Sequence, residues 1–127
     1  MSQSGEPEAE HLRWNELPVD DPLPKVRRRH VKGVHAMLSR FELAAGCEVP
    51  SHEHANEQFA CVLEGRVRFR VGKAGAEVEH VVGAGELLHL PPFVLHAAYA
   101  IEDSVVLDVF APPSESTGVD RASHEAS

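Results

Sequence analysis

Residues 66–92 read RVRFRVGKAGAEVEHVVGAGELLHLPP, and the reading of this stretch decides the fold. Arg66, Arg68 and Arg70 alternate with Val67, Phe69 and Val71, the two-residue period of a half-buried strand. Gly72–Gly75 predicts a hairpin turn, Glu77–Val82 alternates again, and Gly83–Gly85 predicts the next turn. Leu87–Leu90 is apolar and is broken by Pro91-Pro92. The same pattern extends outward in both directions. From Val26 the chain reads as strand after strand: Val34–Leu43 is long and apolar, and Gln58–Leu63 is a buried run. Val94–Tyr99 and Val105–Phe110 close the set, separated by a turn at Glu102-Asp103. No segment carries a persuasive helical stripe. Short strands at regular spacing with Gly-rich turns predict an all-β fold, a sandwich or barrel of the jelly-roll kind.

The flanks differ in character. Met1–Glu10 is polar, acidic and aperiodic, so a disordered arm is expected there. His11–Leu17 holds the chain's tryptophan and predicts a short turn that lays Trp14 on the body of the domain. Pro18, Pro22 and Pro24 forbid regular helix and predict an extended crossing segment. After Pro112-Pro113 the residues become Ser, Glu, Thr and Gly. The expected organisation is an N-terminal arm over 1–25, partly disordered, a barrel over 26–113 and a flexible tail over 114–127.

A length of 127 residues corresponds to one domain with a real core. The formal charge of -8 argues against a nucleic-acid partner, which calls for a basic surface. The basic run Lys25, Arg27, Arg28 and Arg29 reads as a solvated edge-strand face. No apolar run approaches the roughly 20 residues of a membrane helix, so no membrane partner is expected. Cys47 and Cys61, without a signal-peptide pattern, read as reduced thiols of a cytoplasmic protein.

The chemistry concentrates between Gly46 and Gly65, GCEVPSHEHANEQFACVLEG. In an extended segment His52 and His54 point the same way, about 7 Å apart. Two imidazoles from one segment suit a divalent first-row metal, since neutral His nitrogen is its commonest ligand. Gln58 has the same parity and returns to that face after the Ala55-Asn56 bend, whereas Glu57 has the opposite parity. Gln58 is therefore the candidate third ligand, and His96 the candidate fourth. His11, His30, His35, His80, His89 and His124 lack such spacing and read as surface or packing histidines.

Two spaced motifs carry a resemblance. Gly46-x5-His52-x-His54-x3-Gln58-x6-Gly65 resembles the first cupin motif, with Gln in place of the usual Glu. Gly85-x5-Pro91-x4-His96 resembles the second, with Phe93 where Gly is usual and Ala100 where Asn often stands. The resemblance implies a double-stranded β-helix of jelly-roll type, with a metal held by His52, His54, Gln58 and His96. It also implies dimerisation through an edge strand. Within the cupins, HEHANEQ, VLEG and the final strand EDSVVLDVFAPP are similar to the KdgF subfamily of pectin degradation. That subfamily opens the ring of 4,5-unsaturated uronates, and the resemblance assigns Asp108 and Phe110 to the reaction. Parity supports this separately, because Val106, Asp108 and Phe110 share one face. An acid within an apolar strand is costly unless it is paired or working. Where relatives carry an Arg after the double proline, this chain has Ser114. A substitute carboxylate clamp is then sought in Arg40, Arg68 or Arg70.

The expected function is ring opening of a small unsaturated sugar acid by Lewis-acid and general acid/base catalysis without redox change. Ni, Zn, Fe, Mn and Co all suit the donor set. An Fe(II) dioxygenase and a non-catalytic sugar-binding protein are the alternatives.

Overall fold

The computed structural model describes residues 6–113. A single turn of 3-10 helix at Trp14–Glu16 precedes ten strands. In chain order they are β1 (Asp20–Leu23), β2 (Val26–Lys32), β3 (Met37–Leu43), β4 (Glu48–His52) and β5 (Glu57–Glu64). Then come β6 (Arg66–Val71), β7 (Val78–Gly83), β8 (Leu87–Leu90), β9 (His96–Ala100) and β10 (Ser104–Ala111). One sheet has the order β1-β2-β3-β10-β5-β8 and the other β4-β9-β6-β7. All the pairings are antiparallel, and the two sheets face each other across one core.

Alternation decides which face each strand buries. On β6, Val67 and Phe69 turn inward, 0% and 4% exposed, while Arg66 and Arg70 stay outside. On β10, Ser104, Val106, Asp108 and Phe110 turn inward. Phe41, Val62, Val82 and Ala100 complete the middle of the core. The long antiparallel pairing of β10 with both β3 and β5 puts Asp108 opposite Ser39 on one side and Ala60 on the other. Two small neighbours leave room around that carboxyl.

Three expectations need correction. The long strand predicted over 34–43 begins at Met37. Gly33 donates its backbone N–H to the Ala36 carbonyl, closing a turn that leaves Val34 85% exposed. The sheet also begins earlier than Val26, since β1 lies in the stretch assigned to the arm. There the Arg28 guanidinium grips the Asp20 carboxylate with two hydrogen bonds, 2.6 and 3.1 Å long. Arg28 is consequently 8% exposed and not part of a solvated basic face. Both cysteines are free, with Cys47 in the core, where burial pushes its thiol pKa up. The tail from Ser114, including His124, lies outside the described residues, as do residues 1–5.

Candidate metal centre

β4 ends at His52, β9 begins at His96, and these two residues are register partners across the four-stranded sheet. His54 follows in the link between β4 and β5, where Phe93 donates its N–H to the His54 carbonyl. The three rings converge, with centroids 5.7 Å apart for His52–His54, 4.3 Å for His52–His96 and 5.1 Å for His54–His96.

Backbone carbonyls fix how the rings present themselves. His52 Nδ1 lies 2.7 Å from the Pro50 carbonyl oxygen, His54 Nδ1 2.9 Å from that of Asn56, and His96 Nδ1 3.0 Å from that of Val94. A carbonyl only accepts, so each Nδ1 carries a proton, which in a neutral ring leaves the lone pair on Nε2. One ligand atom from each ring lies within 4.8 Å of the other two. His96 Nε2 is buried and has no hydrogen-bond partner. Burial, then the neighbouring His52, lowers the His96 pKa to about 4, so that ring is neutral at ordinary pH. Imidazoles oriented by backbone carbonyls in this way are suited to a divalent ion, which takes the neutral ring. The donor set fits a metal, and His52, His54 and His96 form a group able to hold one.

Gln58 faces inward from β5, whereas Glu57 turns outward and meets His89 at 2.6 Å. The Gln58 Oε1 lies 3.2 Å from His54 Nε2. In a neutral His54 ring with its proton on Nδ1 both atoms are acceptors, an arrangement that suits a cation between them. The amide nitrogen is left for Asp108, and this bond offsets part of the upward push on the carboxyl. Burial nevertheless takes the Asp108 pKa from the usual carboxylate range to about 7. Its Oδ1 is buried without a partner. Phe110, 2% exposed, sets its ring edge-on to His54 with centroids 5.8 Å apart.

These side chains line one cavity of about 50 Å³, closed below by Phe41, Val67, Phe69 and Val106. No Lys or Arg lines it. Arg40 is a correction in this respect. Met37, Ser39 and Phe41 are the inward residues of β3, so Arg40 points out and approaches Glu42 at 3.3 Å. Arg68 and Arg70 lie on the outer face of β6. Asn56 was not singled out in the sequence. It is 6% exposed, its side-chain amide donates to the Pro112 carbonyl, and its own carbonyl orients His54. Its signal was a polar residue in an otherwise small loop, readable only once that loop was known to be buried.

The chain is a small jelly-roll barrel that gathers three histidines able to hold a metal ion from two distant segments. The cupin domain model matches residues 39–110, more than half of the chain, and the chain belongs to the cupin family. By structure it is similar to KdgF from Halomonas sp., with a TM-score of 0.77 and 21% identity over 85% of this chain and 97% of that one. It is similar to an RmlC-like cupin from Shewanella frigidimarina NCIMB 400, with a TM-score of 0.75 and 25% identity over 84% of this chain and 95% of that one. An oxalate decarboxylase of Lactobacillus farciminis in complex with formate gives 0.75 and 17% over 87% of this chain and 36% of that one. No curated protein matches the chain by sequence.

Proposed function

We propose that the chain is a metal-dependent enzyme that opens the ring of a 4,5-unsaturated uronate, or of a closely related sugar acid, without redox change. His52, His54, His96 and Gln58 would hold the ion. When bound, the metal supplies Lewis acidity, undiminished because all four donors are neutral. The observation that carries the reading is Asp108. A carboxyl with an unpartnered buried oxygen and a pKa of about 7 stands in the same cavity as the ligand atoms. The likeness of Glu102–Pro113 to the KdgF subfamily supports the choice of substrate class.

Ring opening of such a sugar is an isomerisation. The anomeric hydroxyl gives up its proton, the bond from C1 to the ring oxygen breaks, and C1 becomes a carbonyl. The ring oxygen is left as an enolate, which becomes a ketone when C4 takes the proton that the anomeric hydroxyl gave up. Asp108 is suited to both proton movements, because a carboxyl poised near neutrality can accept and donate. Gln58 holds its geometry, and Phe110 walls the cavity and keeps water from the reacting face. A volume of about 50 Å³ has room for one or two waters, so the sugar ring would rest at the mouth with only its reacting oxygens reaching inward. With no basic side chain lining the cavity, the substrate carboxylate would be balanced by the cation.

The test is to follow the ultraviolet absorbance of the ring double bond of unsaturated galacturonate with metal-loaded protein. Loss above the spontaneous rate, without oxygen consumption and equally with zinc, is expected. Asp108→Asn should keep full metal content while turnover falls roughly 100-fold or more, the scale of a general acid/base contribution. A wild-type rate no faster than the spontaneous one would defeat the proposal.

A further inference from the structure

The outward face of the four-stranded sheet carries a feature the metal centre does not use. Between β4, β9 and β6 lies a hollow of about 440 Å³, lined among others by Glu48, Ser51, Arg68, Arg70, Ala97 and Tyr99. That volume is in the range of small-molecule sites. Ala97 and Tyr99 are the register partners of Arg70 and Arg68, so the arginines stand over one small and one aromatic side chain. Arg68 is stacked on the Tyr99 ring, 4.8 Å from its centroid, which helps to hold the guanidinium in place.

Charge makes the hollow unusual for this chain. Acids outnumber Lys and Arg by 20 to 12. Arg13, Arg27, Arg28, Arg29, Arg40 and Arg66 each form an ion pair with a carboxylate. Among the described arginines, Arg68 and Arg70 alone have no such pair. Arg70 has Glu79 as its cross-strand neighbour on β7, yet the two form no ion pair. Two guanidinium groups on one face of a strand, about 7 Å apart, can be joined by one anion. The opposite wall offers Ser51 as a hydroxyl donor and Glu48 as an acceptor for a ligand hydroxyl.

We infer that this hollow binds a small hydroxylated dianion, its oxyanion group or groups taken by Arg68 and Arg70 and its hydroxyl by Glu48 and Ser51. Carboxylate and phosphate share this chemistry, since guanidinium forks suit both. The site stands apart from the metal cavity, although Ser51 and Ala97 immediately precede and follow the ligand-bearing His52 and His96 in sequence.

Tyr99 is the only tyrosine, so ring-labelled tyrosine gives one resonance that reports directly on the stack with Arg68. Full-length, metal-loaded protein would be titrated with malate, with glycerol 3-phosphate, and with glycerol as the uncharged control. A saturable shift with malate or with glycerol 3-phosphate, and none with glycerol, is expected; whichever binds more tightly names the oxyanion. Arg70→Gln should weaken the binding at least roughly tenfold, the loss of a charge-assisted contact. Arg66→Gln lies on the same strand and face and should leave binding within about twofold, because its charge is engaged at the surface by Glu102. No saturable shift with either anion would overturn the inference. So would a shift that survives Arg70→Gln, or one that Arg66→Gln weakens as much.

Discussion

Replacing Gln58 by a glutamate would set a negative charge among three neutral imidazoles and against the buried Asp108. The ion would be held more strongly by a charged donor, and its own field on a substrate oxygen would shrink. The introduced carboxylate would also face Asp108 as a like charge, which favours a shared proton over two ionised acids. The expected outcome for Gln58→Glu is metal affinity at least about tenfold higher with turnover at least about tenfold lower. Competition with a chelator of known affinity, beside the absorbance assay, measures both; a rise or fall in the two together would refute the role given to the neutral amide. The inward placement of Gln58 was legible because parity alone separates it from Glu57, and that of Asp108 because it shares the parity of Val106 and Phe110. The carbonyls of Pro50, Asn56 and Val94, which choose the tautomers, were not legible: every residue has a carbonyl, and only the fold says where it points. Arg40 misled for a related reason, since its inward or outward sense depends on a strand start that the apolar residues Val34, Ala36 and Met37 blurred.

At the level of elements, the passage from β5 to β6 carries the chain from one sheet to the other at Gly65. Its φ of +85° is open to glycine and strained for other residues. A Cβ built there would lie 2.3 Å from both the Asp103 carbonyl and the Ser104 hydroxyl. That hydroxyl accepts from the Arg66 N–H at 3.0 Å, so it cannot swing away without losing the bond. Gly65→Ala therefore combines backbone strain of about 1–2 kcal/mol with a contact against backbone. We expect a loss of roughly 3–5 kcal/mol, read as a lower denaturant midpoint at unchanged slope. A loss under about 1 kcal/mol would show that the crossing can relax. The turns at Gly72, Gly75 and Gly85 also have positive φ and were found from sequence, because a glycine between alternating runs has few other uses. β1 escaped notice because its four residues include a proline and make a strand only by pairing with β2.

For the whole molecule, the position of the candidate ligands predicts how metal and stability are coupled. His52 and His96 belong to the four-stranded sheet, Gln58 to the six-stranded one, and His54 to the link between them. An ion in that place ties the two layers at the open end of the barrel, where the core below is only a narrow cavity. Without it, His96 Nε2 is buried and unpartnered, at a desolvation cost of about 1–3 kcal/mol. The native state should bind the ion and the unfolded chain should not, since its donors are scattered from residue 52 to residue 96. At a free metal concentration 100 times the dissociation constant, linkage adds about 2.7 kcal/mol. For a domain of this size that corresponds to a rise of roughly 8–15 °C in Tm. Calorimetry of chelator-treated protein, before and after addition of zinc, checks the size of the rise. His96→Ala removes a donor while relieving a buried unpaired nitrogen, so its metal-free Tm should change little and its response to zinc should nearly vanish. An equal response in wild type and His96→Ala would place the ion somewhere other than between the sheets.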